Sequence, residues 1–339
     1  MIKADCHWIR GEKWLGILFI AFLVPTGCAG SGEVLQETSS ATTFTESLNG
    51  VYFINASEGW IVGNSGNLLH TRDGGATWFS EQSGTTQDLK AIVFADGNTG
   101  WVVGGGGIIL QTINAGLNWV RQTSGSSNPL NSVFFRKGNT SLGWVVGDNG
   151  TVLHTNNGGF SWMTQVGAGS NHLHDVFFRD PDNGWVVGNE GLILHTTTGT
   201  SGALWAAQLS GTTRNLNSIY WSGNALWVVG EGGVLLQTTN DGLTWLRGPQ
   251  TAATGTLTDI LFWGSTAGWI SGEGGILLQT TSTTASNAGL LWVPRSTGTD
   301  TTLRALFFIN DKTGWAVGDN GTILYTVDGG TFWVRQFKR

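Results

Sequence analysis

A unit of roughly forty residues recurs seven times along the chain, and this repetition limits the possible folds more than any other feature. A tryptophan opens each unit, at intervals of 41 to 46 residues. Glycine precedes it in six units, but Leu226 does so in the fifth. Each of these tryptophans is followed after six residues by a glycine and after nine by a leucine. The seven tryptophans are Trp60, Trp101, Trp144, Trp185, Trp227, Trp269 and Trp315. A period of 40–50 residues with short β-patterns is typical of propellers.

Each unit divides into four short β-patterns separated by turn signals, which is the content of one propeller blade. In the third unit these are "LNSVFF", "GWVVG", "TVLHT" and "FSWMTQ", with "DNG" as a hairpin signal between the second and third. The sequence therefore predicts an all-β fold, a seven-bladed β-propeller of four-stranded antiparallel blades over residues 48–339. Closure of the ring removes exposed sheet edges. The stretch "EVLQE" (residues 33–37) resembles an outer strand, so its pairing with the last blade is an alternative.

The segment that ends each unit resembles the Asp-box, or bacterial neuraminidase repeat, as in "TRDGGATW" (residues 71–78). A short Asx side chain accepts hydrogen bonds from turn amides, glycine supplies an unusual backbone angle, and tryptophan covers the turn. Because most units replace the aspartate, the motif indicates a structural turn rather than carboxylate chemistry. The replacements for Asp73 and Asp328 are Asn114, Asn157, Thr200, Asn240 and Asn287.

Composition excludes several classes of protein. The chain has 53 glycines and 18 tryptophans, while only 12% of its residues are charged, which describes a turn-rich and weakly charged β-protein. The formal net charge is −6, and positive residues are not clustered. Nucleic-acid binding requires clustered positive charge, so we expect no nucleic-acid partner.

The first residues form a separate segment. Basic residues precede the apolar run "LGILFIAFLV", which is too short to span a bilayer but suits a signal peptide. Cys28, just after Gly27, resembles the acceptor of a lipoprotein signal, although Pro25 stands where that motif usually has leucine. We therefore expect a lipoprotein-type signal peptide over residues 1–27, lipid attachment at Cys28 and a flexible tether over 28–47. A plain secreted protein cut nearby is the alternative.

Function is expected where equivalent blade positions differ. One such set follows the leucine that opens the first strand of each unit, namely Asn49, Lys90, Asn131, His174, Asn217, Thr258 and Arg304. If that strand is innermost, the set lies at one mouth of the central channel. We expect Lys90, His174, Arg214 and Arg304 to contact a partner or an anionic group there. Ordinary solvated channel polarity is the alternative.

Catalytic and metal-binding patterns are not evident in the sequence. His70, His154 and His195 occupy one repeat position in different blades, so they cannot converge on one ion, and "HLHD" (residues 172–175) is a weak cluster. Sialidases require an arginine triad and a tyrosine nucleophile, but all three tyrosines lie inside repeat strands. No phosphate-binding loop is present. We therefore expect no enzyme, metal or cofactor.

The whole unit, "GWVVGxxGxILHTxDGGxTW", resembles the repeat of the photosystem II stability and assembly factor family. The resemblance implies a non-catalytic, monomeric propeller that docks on a newly made membrane-protein subunit, such as one of photosystem II. It also implies a periplasmic or lumenal location, often with a lipid anchor, and an arginine-rich contact patch. The arginines here are scattered, at Arg121, Arg136, Arg179, Arg247 and Arg335.

Two other functions stay open at this point. A cell-surface carbohydrate-binding propeller would show exposed tryptophans in a groove, and Trp221 and Trp263 are the candidates because they lie outside both tryptophan series. A sialidase-like glycoside hydrolase would require two carboxylates in a cleft.

Overall fold

The protein forms a ring of seven four-stranded antiparallel sheets, so the predicted seven-bladed β-propeller is confirmed. The structure, a computed structural model, describes residues 45–202, 204–249, 251, 253–280 and 291–337. Each blade is one uninterrupted repeat whose strands pair in chain order. The predicted signal peptide, Cys28, most of the tether and the stretch 33–37 lie outside the described residues.

The strands of each blade run from the centre of the ring to its circumference. The innermost strands are β1 (Leu48–Phe53), β5 (Leu89–Phe94), β9 (Leu130–Phe135), β13 (Leu173–Phe178), β17 (Leu216–Ser222), β21 (Leu257–Trp263) and β25 (Leu303–Phe308). The second strands are β2 (Gly59–Gly63), β6 (Gly100–Gly104), β10 (Gly143–Gly147), β14 (Gly184–Gly188), β18 (Ala225–Gly230), β22 (Ala267–Gly272) and β26 (Gly314–Gly318). The third strands are β3 (Leu68–Thr71), β7 (Ile108–Thr112), β11 (Thr151–Thr155), β15 (Ile193–Thr196), β19 (Val234–Thr238), β23 (Leu277–Thr280) and β27 (Thr322–Thr326). The outermost strands are β4 (Phe79–Ser80), β8 (Val120–Gln122), β12 (Met163–Thr164), β16 (Ala206–Gln208), β20 (Leu246–Arg247), β24 (Trp292–Pro294) and β28 (Val334–Gln336).

Tight turns connect the second and third strands. Five of them contain a single 3-10 turn, at Asn64–Gly66, Gly105–Gly107, Asn189–Gly191, Glu231–Gly233 and Glu273–Gly275. The central residue of each has a positive φ, which explains why glycine recurs there and at the next position.

A β-bulge begins every innermost strand. In β1, Leu48 pairs with Gly63 and Gly50 pairs with Val62, so Asn49 is the extra residue between them. The same shift recurs in the other six blades. Because a bulged residue leaves the regular pairing, the bulge fixes where the residue after each leading leucine is presented.

Aromatic rings form the contacts between neighbouring blades. Trp101 of the second blade stacks on Phe135 of the third, with ring centroids 3.5 Å apart. Phe135 in turn meets Trp162 of its own blade edge-on at 6.1 Å. Stacks at 3.5 to 3.7 Å also join Phe53 to Trp315, Phe178 to Trp144 and Phe308 to Trp269. The hydrophobic core is therefore a series of interfaces between blades, and the two tryptophans of each repeat serve these interfaces.

The glycine before each opening tryptophan makes room for this phenylalanine. Gly143 is paired with Phe135, and a β-carbon on Gly143 would lie 2.2 Å from the phenylalanine ring. The corresponding distances at Gly59, Gly100, Gly184, Gly268 and Gly314 are between 2.3 and 2.7 Å. The glycine is therefore required by a close approach rather than by its backbone angles.

The fifth blade departs from this arrangement in a compensated way. Leu226 replaces the glycine, and its strand partner is Trp221 rather than a phenylalanine. The Arg179 guanidinium of the fourth blade lies 5.4 Å from the Trp185 ring and 5.1 Å from the Trp221 ring. Arg179 also forms an ion pair of 2.5 Å with Asp241. A cation between two indoles thus replaces the stacked phenylalanine.

Trp221 was predicted as a candidate for an exposed ligand-binding tryptophan, and the structure assigns it instead to the packing between blades four and five. The repeat spacing carries the signal for this role, because Trp221 stands five residues after the leading leucine Leu216, where every other innermost strand has phenylalanine. The prediction compared Trp221 only with the two tryptophan series.

Among the described residues, packing and hydrogen bonds between the seventh and first blades close the ring, and the four strands of each of these blades come from one repeat. Phe53 stacks on Trp315, and the Trp315 indole nitrogen donates to the Gly74 carbonyl at 3.2 Å. The Gly321 amide donates to the Glu46 carbonyl at 2.9 Å. These contacts are of the same kind as those within the ring, for Trp101 donates to Gly158 in the same manner.

The Asp-box turns are held by hydrogen bonds that either aspartate or asparagine supplies. Asp73 Oδ1 accepts from the Thr77 amide at 2.8 Å, and Asn157 Oδ1 accepts from the Ser161 amide at 3.0 Å. The structural interpretation of this motif therefore holds. In the fourth unit two extra residues shift the frame, so Thr198 follows Thr196 in the turn.

Thr200, which the spacing had aligned with Asp73, donates to Asp182 instead. Its assignment to the turn was wrong because two extra residues separate the turn from Trp205, so Thr198 occupies the turn position.

Substitution of Gly143 by alanine tests the close approach between glycine and phenylalanine. We expect Gly143→Ala to lower the free energy of unfolding by about 1–3 kcal/mol, because the new methyl group forces the Phe135 ring off its stack. Chemical denaturation measures this. Gly97→Ala is the matched control, since nothing lies within 4 Å of a β-carbon there. Equal stability of the two variants would contradict the packing argument.

Candidate functional site

The seven innermost strands enclose an axial cavity of about 500 Å³. At one end lie all seven residues that follow the leading leucines, a set named here the mouth ring. It consists of Asn49, Lys90, Asn131, His174, Asn217, Thr258 and Arg304. The predicted innermost position of the first strand is confirmed. Three of the four predicted contact residues, Lys90, His174 and Arg304, therefore share one mouth of the cavity.

Most of the mouth ring holds neighbouring blades together. The Asn49 amide donates to the carbonyl of Leu89, the leading leucine of the next blade, at 2.8 Å. Asn131, Asn217 and Thr258 donate to the equivalent carbonyls of Leu173, Leu257 and Leu303. His174 Nδ1 lies 2.9 Å from the Leu216 carbonyl, which requires the proton on that nitrogen. Burial lowers the pKa of His174.

Lys90 and Arg304 are the exposed cations of the mouth ring. No ion pair among the described residues involves Lys90, whereas Arg304 contacts Asp319 at 2.5 Å. Arg214 does not line the axial cavity. It borders a separate depression between the fourth and fifth blades, together with Glu190 and Arg247. The structure therefore separates Arg214 from the other three predicted residues.

Two carboxylates lie deeper in the cavity, and each bridges three blades. Asp175 Oδ1 accepts from the Ser132 hydroxyl at 2.7 Å, and its Oδ2 accepts from the Ile219 amide at 2.9 Å. Asp259 Oδ1 accepts from the Ser218 hydroxyl at 3.0 Å, and its Oδ2 accepts from the Leu306 amide at 2.8 Å.

The protein environment of these carboxylates favours their protonated forms. Burial raises the pKa of Asp175, against the opposing effect of hydrogen bonds from Ile219 and Ser132. Burial, together with the charge on Asp175, raises the pKa of Asp259 to about 6 despite its hydrogen bonds. Desolvation thus dominates at both positions.

A belt of large side chains surrounds the cavity beyond the carboxylates, and we name it the aromatic collar. The cavity-lining members are Tyr52, Val93, Phe177, Tyr220, Leu261 and Phe307, and Phe134 joins them through its ring contact with Phe177. Tyr52 and Phe307 are 4.7 Å apart, and Phe134 and Phe177 are 5.3 Å apart. Burial, with a contribution from Tyr220, raises the pKa of Tyr52 to about 12. This belt was not predicted from the sequence, although a large side chain stands four residues after each leading leucine.

The five histidines that the structure describes are not grouped as metal ligands. His70, His154 and His195 each stack on the opening tryptophan of their own blade. Within the "HLHD" stretch, His172 Nδ1 contacts Asp148 at 2.9 Å while His174 points to a backbone carbonyl. Among the described residues, no three potential ligand side chains are grouped around one point.

The arginines that follow the closing tryptophans lie on outermost strands of separate blades. Arg121 is in β8, Arg247 in β20 and Arg335 in β28. Arg335 borders a shallow groove that also contains Arg295. A dense arginine patch is not formed by these side chains. Within the part of the chain that the structure describes, no helix is long and apolar enough to cross a bilayer.

These features define a class of protein, namely Asp-box propellers with a polar mouth and an aromatic belt along one axial cavity. The sequence profile of the photosynthesis system II assembly factor YCF48 family matches residues 36–130, 123–206 and 164–252, more than half of the chain. The chain belongs to this family.

The chain is also similar to individual proteins over part of its length or in its fold. The photosystem II assembly protein Ycf48 of Thermosynechococcus vestitus is 34% identical over 74 residues, which is 21% of this chain and only 20% of the relative. A solved structure described as YCF48 bound to D1 peptide has a TM-score of 0.68 at 20% identity, covering 84% of this chain and 92% of the other.

A xyloglucanase of family GH74 from Xanthomonas campestris also has a TM-score of 0.68, at 13% identity, over 87% of this chain and 55% of the enzyme. Both structural likenesses show the fold alone.

The raised pKa of Asp259 predicts a specific dependence of stability on pH. The folded protein holds this proton more tightly than the unfolded chain, so the stabilisation is fully present below about pH 4. It is lost as the pH rises through the pKa of about 6. We expect the free energy of unfolding to fall by about 1 kcal/mol between roughly pH 5 and pH 8 from this group.

Asp259→Asn should flatten this part of the profile, measured by denaturant titration at each pH. Asp311→Asn, at an exposed position, is the control. The assignment fails if the Asp259→Asn profile keeps the slope of the unmodified protein.

Proposed function

We propose that this chain is a non-catalytic scaffold that binds a segment of a photosystem II membrane-protein subunit during assembly of the complex. The family to which the chain belongs supports this proposal. The related structure that holds a D1 peptide supports it as well, because it places peptide binding on a propeller of this type. The protein acts as a monomer and needs no cofactor.

The main support for the proposal is that the carboxylates in the axial cavity form hydrogen bonds between neighbouring blades. Asp175 and Asp259 each accept hydrogen bonds from two neighbouring blades and from the following backbone amide. A glycoside hydrolase requires one carboxyl group to protonate a leaving group and a second to act as nucleophile or base. Carboxylates that are fully engaged in joining blades suit a rigid docking surface better than they suit this chemistry.

The mouth ring supplies the polar part of that docking surface. Lys90 of the second blade and Arg304 of the seventh blade are exposed, and His174 belongs to the fourth blade. Lys90 attracts an acidic group of the partner together with Arg304, which also contacts Asp319. Arg214 provides positive charge at the separate depression between the fourth and fifth blades. Such complementarity contributes mainly to specificity and to the rate of association.

A carbohydrate-binding propeller is the second candidate, and one observation favours it. Trp263 borders the axial cavity with 45% of its surface exposed. An exposed indole can stack on a sugar ring, but sugar hydroxyl groups also need free hydrogen-bonding partners, and Asp175 and Asp259 are already engaged.

We further propose that the chain is exported and anchored to the periplasmic or thylakoid-lumen side of a membrane. Residues 1–27 act as the signal peptide, Cys28 carries the lipid, and residues 28–47 form the tether. An anchor at this position confines the propeller to the membrane surface, where a newly inserted subunit presents its soluble segments.

Affinity isolation tests the scaffold proposal. We expect tagged full-length protein, incubated with detergent-solubilised thylakoid membranes, to retain photosystem II subunits identified by mass spectrometry. Lys90→Gln combined with Arg304→Gln should reduce recovery by about tenfold, as loss of a central charged contact does. Arg72→Gln with Lys312→Gln is the matched control, because these exposed residues do not line the axial cavity.

Recovery of no photosystem II subunit by the unmodified protein would refute the function. Equal recovery by both double variants would refute the assignment of the mouth ring alone.

Substitution of Cys28 tests the anchor. We expect Cys28→Ser to move the protein from the membrane fraction to the soluble fraction in cells that process lipoproteins, because the acceptor thiol is lost. Fractionation and mass measurement of the mature N-terminus check this. Cys6→Ser is the control, since Cys6 lies within the predicted signal peptide. A membrane-bound Cys28→Ser protein would contradict lipid attachment at Cys28.

A further inference from the structure

The end of the axial cavity opposite the mouth ring has a different chemistry. Trp263 is the last residue of β21, and Lys137 lies two residues beyond the end of β9. Both line the cavity next to the aromatic collar. We name this end, formed by Trp263, Lys137 and the collar, the collar mouth.

Trp263 is not required by the packing of the ring. Its position follows the conserved phenylalanine site of each innermost strand, and the other blades place unrelated residues there. They are Ile54, Ala95, Arg136, Arg179, Ser222 and Ile309. Trp263 pairs across the strand with Ala267 and remains 45% exposed. The Trp263 indole is half-exposed beside a cavity, and the fifth blade has serine at the same position, so this indole is available for a contact outside the ring.

Lys137 supplies charge at the same place. No ion pair among the described residues involves it, and its side chain is exposed. Arg179, which follows the end of the next innermost strand, is already held by Asp180 and Asp241. The collar mouth therefore combines an apolar wall with Lys137, an exposed cation that no ion pair among the described residues engages.

We propose that the collar mouth binds a polypeptide segment in which a large apolar side chain stands next to a carboxylate. The apolar side chain enters the collar and covers Trp263, and the carboxylate meets Lys137. Apolar walls beside a small number of placed polar groups, as at this end of the cavity, are typical of such anchors. The inference rests on the proposed function in one respect, that the ligand is a polypeptide.

The polar groups present favour this ligand over a sugar. The Tyr52 hydroxyl, part of the collar, donates to the Phe94 carbonyl at 2.8 Å. The two carboxylates behind the collar are engaged with neighbouring blades. A carbohydrate would bring many hydroxyl groups to a wall that offers few free partners, whereas an apolar side chain loses nothing there.

The indole resonance of Trp263 reports directly on binding. We would record amide and indole nitrogen-proton spectra of the folded propeller and assign the Trp263 signal by its loss in Trp263→Ser, which copies Ser222 of the fifth blade. The probes are the blocked dipeptides acetyl-Phe-Asp-amide and acetyl-Ala-Asp-amide, and the sugar cellobiose, each up to about 10 mM, since one anchor gives a Kd on the order of 1 mM.

We expect acetyl-Phe-Asp-amide to shift the Trp263 signal, and both acetyl-Ala-Asp-amide and Lys137→Gln to weaken the effect by about tenfold. The Lys312→Gln variant is the matched control and should bind as the unmodified protein does. A shift with cellobiose instead would overturn the inference in favour of a carbohydrate site. No shift with any probe would overturn it as well.

Affinity isolation then separates this inference from the proposed function. Trp263→Ser with Lys137→Gln should recover about tenfold less photosystem II subunit than the unmodified protein. Full recovery by this variant would sink the collar mouth while the scaffold function stands. Absence of recovery by the unmodified protein would sink the function itself, whatever the dipeptides show.

Discussion

The stack between a tryptophan of one blade and a phenylalanine of the next is the interaction on which the ring depends. The ring centroids of Trp101 and Phe135 are 3.5 Å apart, and stacks of the same kind join three other pairs of neighbouring blades. The requirement for glycine before the tryptophan follows from it, because the ring of the phenylalanine occupies the place of a side chain. The chain therefore gains its rigidity from interfaces between blades and needs few charged residues for stability.

Polar side chains inside the ring also join neighbouring blades, through hydrogen bonds instead of stacked rings. Asparagine, threonine and histidine side chains of the mouth ring donate to the backbone of the next blade, and Asp175 and Asp259 accept bonds from both sides. A buried carboxylate that is hydrogen-bonded costs less than one left bare, but its desolvation still raises its pKa. The side chains that remain available to a partner lie at the two ends of the cavity and are not used in hydrogen bonds between blades.

Features that the pattern of a single repeat determines can be predicted from the sequence, whereas contacts between two repeats are not visible in that pattern. Blade number, strand order and the position of the mouth ring follow from a spacing that is the same in every unit. Each repeat carries a signal for the aromatic collar, four residues after its leading leucine, but the closed belt and the bridging role of Asp175 arise only when innermost strands of different blades meet. Trp221 stands at the phenylalanine position of its repeat, but its contacts with Leu226 and Arg179 involve another strand and another blade. Thr200 was misaligned because two extra residues alter the frame of one turn.

Closure of the ring by the same kinds of contact that join the other blades has a consequence for how such a protein can vary. Since each sheet is built from one repeat, the junction between the seventh and first blades repeats the chemistry of the other interfaces among the described residues. A circular permutation that opens the chain between two other blades would therefore leave these interfaces in place. The interface where Arg179 of the fourth blade lies between two indoles differs in its chemistry and marks one position in the circle.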